Sequence, residues 1–290
     1  MIVAWPRLHP RQLALPLGFA AVFIALFWPT FRWMAERFDA ADSLYSHGWL
    51  IPFASAWLVW QRRELLQRLP KQPSYAGLAL LIPSVLVHVA GAWLRIGFLS
   101  GFAMLGVLYG LVWSCAGWPA LWALRFPLLF LMFMVPLPGV MLIAASFKMK
   151  MAAATLATWV IRVIGIPALQ TGSTIHVPGI SVVVDDVCSG LRSLLSLVAL
   201  AILWTSLMGP NAKTWQKGVL WVMAVPIAIL ANMVRVVMLV LLSAIYGPQI
   251  ADSFIHVGSG IVTFGVALAA LAWLGQSVQR WSLPSFAHNR

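Results

Sequence analysis

Along this chain the polar positions come in narrow clusters, separated by long apolar runs. Runs of roughly 20 apolar residues, enough for a helix to cross a hydrocarbon core of about 30 Å, recur over the whole length. The pattern predicts about eight spans, at 12–34, 47–61, 74–94, 97–118, 120–142, 190–208, 218–243 and 258–277. Pro136 and Pro138 should end or kink the fifth. The segment 143–165 is apolar, but Lys148 and Lys150 stand at its middle and Arg162 further on. Lysines at the centre of a spanning helix are costly, and a helix lying in the interface places them at headgroups. The interfacial reading is therefore preferred to a ninth span. Residues 170–187 are rich in β-branched positions, and Pro178-Gly179 sits between Ile175–Val177 and Ile180–Val184. That spacing predicts a small β-hairpin.

Composition sharpens the class. The chain is 62% hydrophobic and 9% charged over 290 residues, whereas a soluble domain is about 25% charged. An all-α polytopic membrane protein is expected, because a helix satisfies its own backbone groups in lipid. The formal net charge is +12, from 19 Lys and Arg against 7 Asp and Glu. In a soluble protein this excess would suggest nucleic acid. Here the basic residues cluster in short loops and read as orientation signals and contacts to membrane lipid, with no nucleic-acid partner. The two cysteines, Cys115 and Cys188, are far apart and form no disulfide framework. The first apolar run is long and no small-residue cleavage site follows it, so no cleaved signal peptide is expected. No cofactor or metal is expected either.

The basic clusters also predict sidedness. With eight spans, Arg7 and Arg11, the loop 62–71, Lys213 and Lys217, and Arg280 fall on one side. That side is cytoplasmic by the positive-inside rule, and both termini with it. The loops carrying Asp39 and Asp42, Asp185 and Asp186, and Asp252 fall outside. By the same parity, Cys115 lies near the cytoplasmic end of its span.

The densest polar window is Asp185-Asp186-Val187-Cys188-Ser189-Gly190-Leu191-Arg192-Ser193. Its topology places Cys188 at the outer end of the span at 190–208. Arg235 falls in the outer half of the next span, with Asn232 one helical turn before it on the same face. His256 falls at the outer mouth of the last span, after a polar loop at 246–256. A thiol, a guanidinium and an imidazole at one depth suit acyl transfer: nucleophile, oxyanion donor and proton carrier. A cation and a helix N-terminus each lower a thiol pKa. Gly190 would let a substrate backbone approach, and Arg192, one turn after Cys188, would pair with Asp185 or Asp186. His47 is also expected outside. Singly, each residue has a plainer reading: Cys188 as a small buried hydrophobe, His256 as an interfacial histidine, Arg235 as a snorkelling cation. Their placement on one side of the membrane favours a site.

Cys188-Ser189-Gly190-Leu191-Arg192-Ser193 and Asn232-Met233-Val234-Arg235 resemble the cysteine and Asn-x-x-Arg motifs of the exosortase and archaeosortase family, membrane-embedded cysteine transpeptidases. His256 fits the third position of the family triad, and Ser46-His47-Gly48 resembles an early family motif. Asp186 stands where the family often carries glutamate. The likeness runs over nearly the whole chain and implies that 1–290 is one integral membrane transpeptidase domain. It implies catalytic Cys188, Arg235 and His256, supported by Arg192, Asn232, Asp186, Ser189, Gly190 and His47. It implies a substrate protein with a C-terminal sorting tail: a Pro-Glu-Pro-like (PEP-CTERM) motif, a transmembrane helix and a basic cluster. Cleavage near the motif on the periplasmic face of a bacterial inner membrane would give a thioacyl intermediate, passed to a lipid or other amine acceptor, in company with exopolysaccharide production. Two other classes remain open from the residues: a transporter with Arg235 and His256 lining a pathway, and a non-catalytic assembly factor for which Cys188 is dispensable. An intramembrane serine protease on Gly258-Ser259-Gly260 is a weaker reading, since the fuller Gly-x-Ser-Gly pattern is missing.

Overall fold

The computed structural model describes residues 10–40, 43–184, 189–208, 212–247 and 254–280, with the backbone alone at 10–16 and 254–257. The chain divides into two compact units, one formed by 1–41 and 46–136 and the other by 42–45 and 137–290. Both are built mainly of apolar helices.

The first unit contains α1 (Pro10–Phe38), α2 (Leu50–Gln61), α3 (Arg63–Arg68), α4 (Leu78–Trp93), α5 (Gly97–Ala116) and α6 (Trp118–Phe130). Helices α4 and α5 approach closely because small residues line their seam. A Cβ on Gly110 would stand 2.8 Å from the Cα of Leu81, and one on Gly106 would collide with Ser84. Small residues are the usual means of close helix packing where lipid offers no hydrophobic drive. A buried polar chain ties α1 to this pair. Thr30 Oγ1 and Ser100 Oγ share a hydrogen bond of 2.5 Å, Ser100 Oγ and His88 Nδ1 another of 2.6 Å, and His88 Nε2 meets the Leu26 carbonyl at 3.1 Å. Helix α2 packs on α6, where the Ser55 hydroxyl donates to the Pro127 carbonyl over 2.8 Å.

The second unit starts with α7 (Gly139–Val163) and continues through a three-stranded antiparallel sheet. Its strands are β1 (Leu169–Thr171), β2 (Thr174–Val177) and β3 (Ile180–Val183). Strands β2 and β3 pair in register from Val177 with Ile180 to Thr174 with Val183, around Pro178-Gly179. Gly179 takes a φ of +84°, the positive φ that a type II turn needs at its second central residue, after Pro178. The sequence pattern pointed to two strands; β1 is a third, paired with β2 through Gln170 and Ile175. It carries no alternating apolar pattern that would mark it. Buried Ile175, Val177, Val182 and Val184 pack with Ala153, Ala154, Ala157 and Ile161 of α7. Then come α8 (Leu191–Leu207), α9 (Thr214–Tyr246) and α10 (Phe254–Arg280). Val236, Leu239 and Val240 of α9 complete the core with α7 and the sheet, and Leu220, Ala224 and Ala228 build a second core with α8 and α10.

Among the described residues, six helical stretches are long and apolar enough to cross a membrane by length and composition: Leu17–Phe38, Tyr75–Trp93, Gly97–Ala116, Gly139–Val163, Thr214–Tyr246 and Gly258–Arg280. This departs from the eight expected runs for local reasons. The run at 47–61 contains a helix of only 12 residues, about 18 Å long at 1.5 Å per residue. The run at 120–142 ends its α-helix at Phe130, tightens through a 3₁₀ turn at Leu131–Met134 and is cut by Pro136 and Pro138. The run at 190–208 yields 17 helical residues. Conversely, 143–165, expected in the interface, belongs to a continuous helix of 25 residues that starts at Gly139 and is long enough to cross.

Candidate functional site

Helix α9 is the post against which the site is assembled. Its N-terminal half meets the C-terminal ends of two neighbours. Trp221 Nε1 donates to Thr205 Oγ1 of α8 over 2.9 Å, and Gln216 Nε2 donates to the Val278 carbonyl of α10 over 2.7 Å. Helices α8 and α10 therefore both run antiparallel to α9, and their N-termini arrive together beside its C-terminal half. Two contacts fix that meeting point.

The first is Gly190 against Asn232. Gly190 precedes α8 with φ +80° and ψ 2°, a left-handed conformation. A Cβ there would stand 2.6 Å from Asn232 Cγ and 2.9 Å from its Nδ2, so only glycine lets the amide lie in place. The second is Arg235 against α10. Arg235 Nε donates to Ser259 Oγ at 3.4 Å, and a Cβ on Gly260 would lie 3.3 Å from the guanidinium carbon. Asn232 and Arg235, three residues apart on α9, are 4% and 8% exposed. Ser189 is 1% exposed, and its hydroxyl accepts the Leu191 amide at 3.3 Å, satisfying one otherwise orphan donor of the first turn of α8. Gly190 is followed at once by Leu191, the first residue of α8, so the left-handed residue marks where the helix starts.

The structure thus joins Ser189, Gly190, Asn232 and Arg235 in one buried cluster. It places His256 in the first turn of α10 and not in the preceding loop, since that helix begins at Phe254. Ser259 and Gly260, which hold the guanidinium, come one turn after His256 in the chain. Cys188, Asp185 and Asp186, and with them the expected pairing of a carboxylate with Arg192, lie outside the described residues, as does the side chain of His256. Arg192 is the second residue of α8 and half-buried. Its expected position one helical turn after Cys188 lies outside the described residues. The missing side chain of Gly190 accommodates Asn232. His47 belongs to the other unit, in a 3₁₀ turn at Ser46–Trp49.

Sequence reasoning overlooked the parts played by Ser259 and Gly260. The available signal was Gly258-Ser259-Gly260 itself, a stretch of small residues on a membrane helix just where a long polar neighbour must come close. Among the described residues no three His, Cys, Asp or Glu side chains gather as a metal-ligand set.

Fold and cluster define a polytopic helical membrane protein with a buried polar site where two helix N-termini meet a third helix. A family model described as Transmembrane exosortase (Exosortase_EpsH) matches residues 33–273, and the chain belongs to that family. No curated protein and no solved structure matches it.

Proposed function

We propose that this protein is a membrane-embedded cysteine transpeptidase, residues 1–290 forming one catalytic domain, that cleaves C-terminal sorting tails at the extracytoplasmic face. The observation that carries the reading is the convergence on α9. Gly190, two residues after Cys188 in the chain, rests on Asn232, and Ser259 and Gly260, one turn beyond His256, hold Arg235.

In this reading the Cys188 thiolate attacks the scissile carbonyl carbon. The carbonyl electrons move to oxygen, and the Arg235 guanidinium donates N–H groups to the developing oxyanion. The intermediate collapses to a thioester as the C–N bond breaks, and the departing amine takes its proton from the His256 imidazolium. An acceptor amine, of a lipid or another molecule, then attacks the thioester. Neutral His256 removes its proton and the Cys188 thiolate leaves. The N-terminus of α8, with the positive end of its dipole, favours the thiolate form of a cysteine just ahead of it. Asn232 would keep the α8 entry and Arg235 in register, with Asp186, Arg192 and His47 in supporting roles. The substrate is a protein with a Pro-Glu-Pro-like motif, a transmembrane helix and a basic cluster, in a bacterial inner membrane. The charge partition supports eight passes, both termini cytoplasmic and 143–187 outside.

The test is the size shift of a tagged substrate in cells. Cys188→Ala should abolish processing with expression and membrane insertion intact, and Cys115→Ala should process like wild type. His256→Ala should slow processing by about 10²–10⁴-fold, the usual worth of general acid–base catalysis. Normal processing by Cys188→Ala would overturn the cysteine mechanism in favour of a transporter or a non-catalytic assembly factor.

A further inference from the structure

A second polar feature lies in the first unit, independent of the transpeptidase reading. A cavity of about 460 Å³ opens between the end of α2, α3 and the start of α6. Arg62 and Arg125 both line it, with Leu65, Leu69, Trp122 and Phe126 among its walls. Each guanidinium is held from behind. Arg62 Nη1 donates to the Leu58 carbonyl at 3.2 Å, and Arg125 Nη1 to the Trp122 carbonyl at 3.4 Å. The Arg125 guanidinium carbon also stands 3.7 Å from the centroid of the Trp122 ring. The backbone of Arg125 is fixed in turn, since Tyr109 donates to its carbonyl over 2.8 Å.

Two like charges lining one cavity repel. Burial, and after it the nearby Arg125 charge, pulls the Arg62 pKa below its ordinary value. Among the described residues neither arginine has a carboxylate partner: the ion pairs there are Arg32 with Glu36 and Arg63 with Glu64. The described residues therefore supply no balancing negative charge at this cavity. Tryptophans indicate where the cavity sits. Trp118 stacks with Trp122 at 6.0 Å and meets Trp113 at 5.2 Å, while exposed Trp60 lies under Arg63 at the end of α2. Exposed tryptophans such as Trp60, Trp118 and Trp122 are typical of the headgroup level of a membrane.

We propose that Arg62 and Arg125 form a two-pronged site for the phosphate headgroup of an anionic phospholipid, whose glycerol and upper acyl carbons lie along Leu65, Leu69 and Phe126. Guanidinium suits this role because its planar donor set grips phosphate oxygens in pairs, and the apolar walls account for a lipid rather than a free anion.

The experiment uses the purified, delipidated full-length protein, titrated with phosphatidylglycerol or phosphatidylcholine of identical chains, with bound lipid counted by native mass spectrometry. The phosphatidylglycerol should be retained in preference. Arg62→Gln and Arg125→Gln should each weaken its retention about fivefold, the usual worth of one surface arginine toward anionic lipid. Arg63→Gln, which alters the same loop outside the cavity, should leave retention unchanged. Arg125→Lys keeps the charge and should still bind less than wild type, because lysine lacks the paired donors. Melting curves verify that each variant is folded. Equal retention of the two lipids, an equal loss in Arg63→Gln, or undiminished binding in Arg125→Lys would overturn the site. Displacement of the lipid by millimolar inorganic phosphate would assign the cavity to a free anion and overturn the lipid as its ligand.

Discussion

Gly190 carries two demands at once, and they are separable. Its left-handed φ alone would cost an alanine roughly 1–2 kcal/mol. Gly172, at φ +62°, shares that demand but has open space where a Cβ would stand. Gly172→Ala should therefore lower thermal stability modestly and leave substrate processing near wild type. Gly190→Ala should lower stability further and abolish most processing, because the new methyl displaces Asn232. Similar loss of processing in the two variants would show that the Asn232 contact does not matter. Ser259→Ala removes the hydroxyl that receives Arg235 Nε without creating a clash. On the proposed chemistry it should slow processing severalfold, less than Arg235→Lys, which loses the planar donors altogether. Equal effects of the two would mean that the serine, not the guanidinium, is the group that matters.

At the level of elements, the polar chain through Thr30, Ser100 and His88 joins α1, α4 and α5 inside an apolar bundle. Hydrogen bonds between membrane helices are worth about 0.6 kcal/mol on average and up to about 1.7. His88→Ala removes two such bonds and the packing of the imidazole on Phe27, whose ring centroids are 4.2 Å apart. It should reduce the melting temperature in detergent while leaving the chemistry at α9 intact, and a loss of processing without a loss of stability would contradict this. The apolar runs indicated α1, α4, α5, α9 and α10 well, because each is long and strongly apolar, α9 even with Arg235 inside it. They misjudged the extents at 47–61 and 120–142. Hydropathy sums over a window and does not register that Pro136 and Pro138 divide one run, or that a short helix ends at Gln61.

For the whole molecule, sidedness rests on how many helices cross. Eight passes leave Lys213 and Lys217 cytoplasmic, and a ninth pass through α7, whose 25 residues suffice, would move them outside. A cysteine placed at Lys213 in an otherwise cysteine-free chain should resist an impermeant thiol reagent in intact cells and react after permeabilisation. Labelling in intact cells would replace the eight-pass topology with the nine-pass one. The cysteine-free background is inactive on the proposed chemistry, so this measurement reads topology alone.

The class of protein is legible in the composition. A chain 62% hydrophobic and only 9% charged has few soluble alternatives, and the motifs around Gly190 and Arg235 are local enough to read directly. The sequence also signalled the hairpin through Pro178-Gly179, since turn chemistry is encoded in adjacent residues. Tertiary structure alone decided which small residues receive which large ones. That Gly190 exists for Asn232, and Ser259 and Gly260 for Arg235, depends on α8 and α10 both running antiparallel to α9. No local pattern encodes that crossing, because a glycine in a membrane helix looks the same whether a lipid, a backbone or a guanidinium lies against it.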